Sequence, residues 1–114
     1  MALRIDNLCI DASDPRVLGE WWAELLGWKV ADAGEDEFSI QSPEDGRELL
    51  FCRVPERKGV KNRLHLDLRP DDQAAEVARA EKMGARRVDV GQGEQTWVVL
   101  ADPEGNEFCI LSPL

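Results

Sequence analysis

The chain has 114 residues, 43% hydrophobic and 32% charged, with a formal net charge of -9 at pH 7. This length suits one domain with a real core, and no apolar run approaches the ~18 residues that span a bilayer, so we expect no membrane partner. An acidic chain repels a polyphosphate backbone, which argues against a nucleic-acid partner. The three cysteines lack disulfide or zinc spacing, and the N-terminus lacks the zones of a secretion signal. We therefore expect a cytoplasmic protein with reduced, buried thiols.

The first half of the chain predicts the element order β-α-β-β-β. Residues 3–11 partly alternate between apolar and polar side chains, as a strand does. Ser13-Asp14-Pro15 then offers an N-cap and a proline for the first helical turn, and an apolar stripe of helical period runs on to Gly27, a natural helix end. Three short strands separated by turn residues follow, at residues 28–31, 37–41 and 48–54.

The second half predicts the same order. Residues 64–69 alternate strictly, which places three leucines on one face of a strand and polar side chains on the other. Asp71-Asp72 can cap a helix over residues 73–83, which Gly84 ends. Strands are predicted at residues 86–90, 95–100 and 106–111.

The two halves align at a steady offset, which indicates a duplicated structural unit. Asp14 and Asp72 lie 58 residues apart, as do Asn7 and His65. Two long repeats are better explained as pseudo-symmetric halves sharing a core than as a solenoid. We expect an α+β fold in one domain, residues 1–114, built from two βαβββ modules at about 1–57 and 62–114. Their mixed sheets would curl into a cup, with the helices on the outer faces.

A basic stretch lies where the first half meets the second. It comprises Arg53, Arg57, Lys58, Lys61 and Arg63. Neighbouring proline and glycine favour a linker, so this stretch is either a solvated loop or a surface that attracts an anionic ligand.

Several segments together resemble the vicinal-oxygen-chelate superfamily, which contains glyoxalases, bleomycin-resistance proteins and extradiol dioxygenases. They are Ser13-Asp14-Pro15, Leu26-Gly27-Trp28, His65-Leu66-Asp67-Leu68 and residues 97–108, which include Asp102-Pro103-Glu104-Gly105-Asn106. The resemblance spans nearly the whole chain and is greatest to small glyoxalase-like proteins. It implies a cytoplasmic homodimer with a small-molecule ligand in the cup, and the large share of tryptophan also favours a subunit interface.

The resemblance places the superfamily's four metal-ligand positions at Asn7, Leu50, His65 and Cys109, of which only His65 is a typical ligand. The standard chelating set is therefore incomplete, and we predict no metal cofactor at this site. A divalent metal ion at a rebuilt site, with His65 and either Glu48 or Glu107, is the open alternative.

Side chains two residues apart on a strand share a face, so Cys9, Glu48, Asp67 and Glu107 should line the cup with those four positions. His65 is the only histidine and the leading acid-base candidate, with Glu48, Glu107 or Asp67 as its partner, unless it is simply a hydrogen-bonded lining residue. Trp97 near the cup mouth could stack on a flat ligand. Trp21 and Trp22 are adjacent on a helix, so one of them should lie at an edge that another subunit covers.

Three classes of function remain open. A small-molecule binding protein of the bleomycin-resistance kind needs a cavity but no metal ligands. A glyoxalase-like lyase, isomerase or dioxygenase acting on a vicinal dioxygen compound needs a complete ligand set or a competent general base. A non-catalytic dimerisation module would have its cup filled by its own side chains. The sequence favours the binding protein and leaves enzymatic activity undecided.

Overall fold

The computed structural model describes residues 2–114, whose contacts divide the chain into two compact units, residues 1–57 and 58–114. Each unit contains one helix and one four-stranded mixed sheet, in the order β-α-β-β-β. The predicted α+β class and its two βαβββ modules are confirmed. The curling of the sheets into one cup stays a prediction. Within the described residues, no helix has the length and apolar character needed to cross a membrane.

Unit 1 has the longer strands. Its elements are β1 (Leu8–Ala12), α1 (Pro15–Leu26), β2 (Lys29–Ala33), β3 (Glu37–Gln41) and β4 (Glu48–Arg53). The sheet order is β1-β4-β3-β2, in which β1 and β4 run parallel and the other pairs antiparallel. Among these described strands, only the pairing of β2 with β3 is interrupted, by a register shift between Val30 and Asp32. The Asp14 carboxylate accepts a hydrogen bond from the Val17 N–H at 3.3 Å, and Gly27 ends α1 at a φ of 69°. Both predicted helix boundaries are therefore confirmed.

The core of unit 1 is aromatic and lies between α1 and the sheet. Trp22, Phe38 and Phe51 are almost fully buried, and α1 packs on β3 and β4. Gly19 faces Phe38 so closely that a Cβ atom there would overlap the ring carbons Cδ1 and Cε1. This helix therefore needs glycine where it crosses β3.

Unit 2 has the same order with shorter strands. Its elements are β5 (Asp67–Leu68), α2 (Gln73–Lys82), β6 (Arg86–Arg87), β7 (Val98–Ala101) and β8 (Glu107–Ile110). The sheet order is β5-β8-β7-β6, with β5 and β8 parallel. Asp72 caps α2 by accepting from the Ala75 N–H at 3.1 Å, as the sequence predicts. Val77 and Ala80 are the buried residues of this helix.

Several expectations from the sequence were wrong. The first strand begins at Leu8 rather than residue 3, and the six-residue strand expected at 64–69 is reduced to Asp67–Leu68. Trp21 and Trp22 are both buried and pack edge to face, with ring centroids 5.2 Å apart. Because neither indole lies at an exposed edge, these tryptophans give no support for a subunit interface. The homodimer stays a prediction without that argument.

The turn between β7 and β8 is organised by the buried side chain of Asp102, which is 1% exposed. Its Oδ1 accepts hydrogen bonds from the backbone N–H groups of Glu104 and Asn106, both at 2.9 Å. The Asn106 side-chain amide donates to Oδ2 at 3.0 Å, and Gly105 supplies a positive φ of 89°. One carboxylate thus satisfies the donors that a tight turn leaves unpaired.

Candidate functional site

The candidate site lies in unit 2, where β5 and β8 bring three side chains together: His65, Asp67 and Cys109. Asp67 and Cys109 are register partners on these parallel strands, and the Cys109 N–H donates to the Leu66 carbonyl oxygen at 2.9 Å. His65 belongs to the irregular segment just before β5. The potential ligand atoms of this cluster all lie within 4.8 Å of one another. Strand register therefore assembles the His65–Asp67–Cys109 cluster from positions 44 residues apart.

Asp67 is the electrostatic centre of the cluster. Its Oδ1 lies 3.1 Å from His65 Nε2. Burial raises the pKa of the Cys109 thiol, and the negative charge of Asp67 and a hydrogen bond to that carboxylate raise it further, while Lys61 acts weakly in the opposite direction. The arrangement orients an imidazole beside a carboxylate and keeps the neighbouring sulfur protonated at neutral pH. It lacks the cationic surroundings that activate a nucleophilic cysteine.

All three members of the cluster line a half-open cavity of about 300 Å³. Its apolar wall consists of Val90, Trp97, Val99 and Leu111. Lys61, Gln92 and Glu107 complete the lining. Trp97 is 37% exposed, so part of its indole surface is free to contact a ligand. An apolar wall facing a few convergent polar groups is the usual composition of a small-molecule site.

The position of Trp97 is linked to helix α2 through Gln73. The Gln73 side-chain amide donates to the Thr96 carbonyl oxygen at 2.8 Å and to the Ile110 carbonyl oxygen at 3.0 Å. One helix residue therefore joins the segment that carries Trp97 to the end of β8. This positioning residue has no signal in the sequence beyond its place directly after the helix N-cap.

Glu107 is held by the chain segment that opens unit 2. Its Oε2 accepts from Lys58 Nζ at 3.0 Å, and its Oε1 accepts from the Asn62 N–H at 2.9 Å. Burial alone would raise the pKa of Glu107, but the hydrogen bonds from Asn62 and Lys58 outweigh burial and leave this pKa below its ordinary value. With both oxygens engaged, Glu107 is better suited to anchor residues 58–62 than to accept a substrate proton.

The side chains of the basic stretch have different partners and do not form one continuous basic surface. The Lys58 side chain is only 18% exposed and paired with Glu107, whereas Lys61 lines the cavity. Arg53 donates to the carbonyl oxygens of Ser13 and Glu35 and is paired with Asp36. A solvated loop is therefore the wrong description for Lys58, and Lys61 is the member of the stretch that a cavity ligand would meet.

The remaining predicted site residues lie in unit 1, all on or beside β1 and β4. Asn7 immediately precedes β1, and its side-chain amide donates to Asp6 Oδ2 at 3.2 Å. Glu48 and Leu50 are half-buried on β4, and Leu50 is the register partner of Cys9 on β1. Because Leu49 and Phe51 are buried in the core, strand alternation places Glu48 and Leu50 on the opposite face of this sheet. Their roles in ligand binding or catalysis stay predictions.

One feature of unit 1 was missed by sequence reasoning. Cys9 is exposed rather than buried, and its Sγ lies 2.8 Å from Cys52 Sγ. The two cysteines are 43 positions apart, so only the parallel pairing of the first and fourth strands of a module could have indicated their contact.

The His65–Asp67–Cys109 cluster has a donor set that fits a transition-metal ion. One imidazole nitrogen, one carboxylate oxygen and one sulfur suit Zn²⁺ or a similar borderline ion, whereas Mg²⁺ and Ca²⁺ prefer oxygen alone. Three protein ligands would leave a coordination position open. The expectation from the sequence named His65 with Glu48 or Glu107, but the residue that joins His65 here is Asp67. The raised pKa of Cys109 opposes binding, because the sulfur must lose its proton to coordinate an ion.

Comparisons with solved structures identify the fold. A glyoxalase/bleomycin resistance protein/dioxygenase family enzyme from Burkholderia phytofirmans PsJN matches with a TM-score of 0.74 and 18% identity, over 96% of this chain and 98% of that one. TnmS3, an antibiotic-binding protein from Streptomyces sp. CB03234, matches at 0.67 and 19%, over 100% and 99%. A bleomycin resistance determinant encoded on transposon Tn5 matches at 0.64 and 16%, over 97% and 98%.

The three solved structures share the fold of this chain, as the sequence resemblance to the vicinal-oxygen-chelate superfamily predicts. A family model described as a glyoxalase-like domain matches residues 7–111, so the chain belongs to that family. A search of curated protein sequences finds no match. The predicted resemblance is thus confirmed at the level of family and superfamily, and the identities below 20% to the three solved structures show the fold alone.

Proposed function

We propose that the protein binds a small molecule in the cavity of unit 2. The observation that carries this proposal is the partly exposed indole of Trp97, which lines the same cavity as the polar His65–Asp67–Cys109 cluster. A cavity of about 300 Å³ lies at the lower end of the range for small-molecule sites. The names of two structural relatives, an antibiotic-binding protein and a bleomycin resistance determinant, support a binding function.

The lining favours a flat ligand with one polar edge. Trp97, Val90 and Leu111 offer apolar surface to a planar ring system, on which the indole can stack. The Asp67 carboxylate is half exposed and can accept a hydrogen bond from a hydroxyl or amine, while Lys61 can meet an acidic group. Binding of this kind breaks no bond and needs no metal ion.

Tryptophan fluorescence tests the proposal, with bleomycin and a set of planar phenols and quinones as probes. We expect at least one probe to quench the emission saturably and a Trp97→Phe variant to lose most of that quenching. Trp28→Phe is the matched control, because Trp28 is a half-buried indole of unit 1 that does not line the cavity. Equal affinity and quenching in the parent and Trp97→Phe proteins would contradict ligand binding at this wall.

A metal-dependent lyase, isomerase or dioxygenase is the second candidate, favoured by the donor set of the His65–Asp67–Cys109 cluster. When bound, a divalent ion would supply Lewis acidity to two adjacent oxygen atoms of a substrate. His65 and Asp67 would orient the substrate and hold a proton at the imidazole, and the apolar wall would exclude water.

Cobalt binding distinguishes the two candidates. If the cluster is a metal site, adding Co²⁺ to metal-free protein should produce a thiolate-to-cobalt absorption band that Cys109→Ser abolishes. Cys9→Ser is the matched control, because Cys9 and Cys52 form a separate pair of sulfur atoms. An absent band, or one lost with Cys9→Ser and kept with Cys109→Ser, would argue against the metal-dependent candidate and leave the binding protein.

A further inference from the structure

Unit 1 contains a pair of thiols that lies outside the proposed ligand site. Cys9 Sγ and Cys52 Sγ lie 2.8 Å apart on the neighbouring parallel strands β1 and β4. The distance is well inside the contact of two non-bonded sulfur atoms, and a disulfide bond measures about 2.05 Å. Closing the bond therefore requires the two sulfur atoms to approach by less than about 1 Å.

The pair is held in place by the regular pairing of its two strands. Five consecutive register pairs join β1 to β4, with Cys9 opposite Leu50 and Cys52 opposite Asp11. The Val54 N–H donates to the Ala12 carbonyl oxygen at 3.0 Å and continues the ladder past Cys52. The sulfur atoms meet diagonally across the strand pair, on the face opposite the aromatic core, where side chains of adjacent strands can touch.

The thiols are also accessible. Cys9 is exposed and Cys52 is half-buried. A small reagent can therefore reach the Cys9 sulfur, and the Cys52 sulfur lies beside it. Cys109, in contrast, is buried at 7% exposure within unit 2. Accessibility with an adjacent second thiol is the arrangement that favours an intrachain disulfide over a lasting mixed disulfide.

We propose that Cys9 and Cys52 form a reversible modification site, which a low-molecular-weight disulfide oxidises to an intrachain disulfide across β1 and β4. One protein thiol loses its proton and attacks a sulfur of the small disulfide, so that a mixed disulfide forms and one small thiolate leaves and takes up a proton. The second protein thiol then loses its proton, attacks the protein sulfur of the mixed disulfide and expels the second small thiol. Two protein thiols and one small disulfide become one protein disulfide and two small thiols.

The surroundings of Cys9 set the expected speed of this exchange. Although Cys9 is exposed as a residue, partial desolvation of its sulfur, the hydrogen bond to Cys52 and the neighbouring charges, including Asp11 and Glu37, raise the pKa of the thiol to about 12. Because the thiolate is the attacking species, attack by Cys9 should be slow at pH 7 and accelerate roughly tenfold for each pH unit below that pKa. The pair should therefore respond to sustained rather than brief oxidation.

Mass spectrometry of the full chain tests the proposal, with oxidised glutathione as the small disulfide at pH 8. After oxidation, acid quenching and alkylation under denaturing conditions, we expect the number of free thiols to fall from three to one and a peptide linking Cys9 to Cys52 to appear. Dithiothreitol should restore all three thiols. Cys109→Ser protein should form the same link and retain no free thiol.

Two further variants keep the result interpretable. In Cys9→Ser and Cys52→Ser proteins the remaining strand thiol should stop at a glutathione adduct, because no second sulfur is in reach. The proposal is overturned if, after prolonged oxidation at pH 8, Cys109→Ser protein accumulates only glutathione adducts, links two chains instead of one, or retains both thiols although the remaining strand thiol of Cys9→Ser protein has formed its glutathione adduct. Any of these outcomes would show that the native strand pair does not bring the two sulfur atoms to bonding distance.

Discussion

Units 1 and 2 share one order of elements but differ in how much of it is regular. The strands of unit 1 have five or six residues, whereas those of unit 2 have two or four. Unit 1 fills its core with Trp22, Phe38 and Phe51, whereas the large buried side chains of unit 2 include only one aromatic residue, Phe108. The half-open cavity and the His65–Asp67–Cys109 cluster belong to the less regular unit.

The difference shows that a repeated order of elements does not impose equal packing. Unit 1 holds its sheet with long backbone ladders and apolar volume. Unit 2 relies more on polar side chains that bind backbone groups, such as Asp102 in the turn, Gln73 at the helix start and Glu107 beside residues 58–62. Substitutions of these two kinds of support should therefore have different magnitudes and different dependence on pH.

The largest effect is expected from Asp102→Ala in unit 2. This substitution removes the acceptor of two backbone N–H groups and of the Asn106 amide at a buried position. We expect the free energy of unfolding to fall by about 3 kcal/mol, since buried donors left without partners are costly. Urea denaturation monitored by tryptophan fluorescence measures the change.

Ser42→Ala in unit 1 is the matched control for that substitution. Ser42 precedes the corresponding turn, and its Oγ accepts one hydrogen bond, from the Glu44 N–H at 3.2 Å. Its loss should cost about 1 kcal/mol or less. Equal effects of Asp102→Ala and Ser42→Ala would mean that the two turns are supported alike and would undo this part of the comparison.

The second effect, in unit 1, is expected from Gly19→Ala. The new methyl group would overlap the buried ring of Phe38. Overpacking of about 3 kcal/mol, offset by about 1 kcal/mol of improved helix propensity, gives a net loss of about 2 kcal/mol in the free energy of unfolding. In unit 2 the position 58 residues later is the buried Val77, so this requirement for glycine is confined to α1.

A double-variant cycle identifies the cause of the Gly19 effect. If the methyl group clashes with the ring, Gly19→Ala should cost much less in a Phe38→Leu background than in the parent protein. A stabilised Gly19→Ala protein, measured by the same denaturation, would mean that helix propensity outweighs the contact.

A smaller effect of about 1 kcal/mol is expected from Lys58→Met, which removes the ammonium group from Glu107. The folded-state pKa of Glu107 lies below its ordinary value of 4.5, so its ionised form stabilises the fold above the unfolded-state pKa and this contribution disappears as pH falls through the folded-state pKa. The penalty of Lys58→Met should therefore be full near pH 7 and shrink as pH falls below 4.5 and through the lowered folded-state pKa of Glu107.

The difference in melting temperature between the parent and Lys58→Met proteins, measured from pH 3 to pH 7, reports that penalty. Lys29→Met, at an exposed position on β2, removes the same charge without touching Glu107 and should show little change at any pH. A Lys58→Met penalty that does not vary with pH would assign its cost to lost packing of the lysine stem instead of the ion pair.

The smallest expected effect is a change in the alkylation rate of the Cys109 thiol. Asp67→Asn removes a negative charge beside Cys109, so the pKa of the Cys109 thiol should fall and its thiolate fraction should rise. In a Cys9→Ser/Cys52→Ser background, alkylation of Cys109 by iodoacetamide at pH 8 should become about threefold faster. Unchanged or slower alkylation would indicate that burial alone controls this thiol.

The sequence predicted local structure well because local signals determine it. Asp14 and Asp72 cap the two helices, and Gly27 ends the first, as their residue types require. The strict alternation of residues 64–69 predicted a strand that is too long. Alternation indicates which way side chains face, but it does not show whether the backbone is hydrogen-bonded to a neighbouring strand. That segment pairs with β8 only from the Leu66 carbonyl onward.

The candidate site could be predicted only in part, because its contacts depend on register and on three-dimensional packing. His65, Asp67, Trp97 and Cys109 were expected on one surface and line one cavity. The pairing of Lys58 with Glu107 crosses 49 positions and carries no motif. The contact of Cys9 with Cys52 likewise requires the parallel register of β1 and β4.

The two hydrogen bonds of Gln73 connect the first turn of helix α2 to the segment that carries Trp97 and to the end of β8. A shift of the first turn of this helix would move the Gln73 side chain, which is bonded to the Thr96 carbonyl oxygen beside Trp97. If the protein binds a planar ligand at this wall, as proposed, substitutions in the first turn of α2 would change its affinity without altering any residue of the cavity lining.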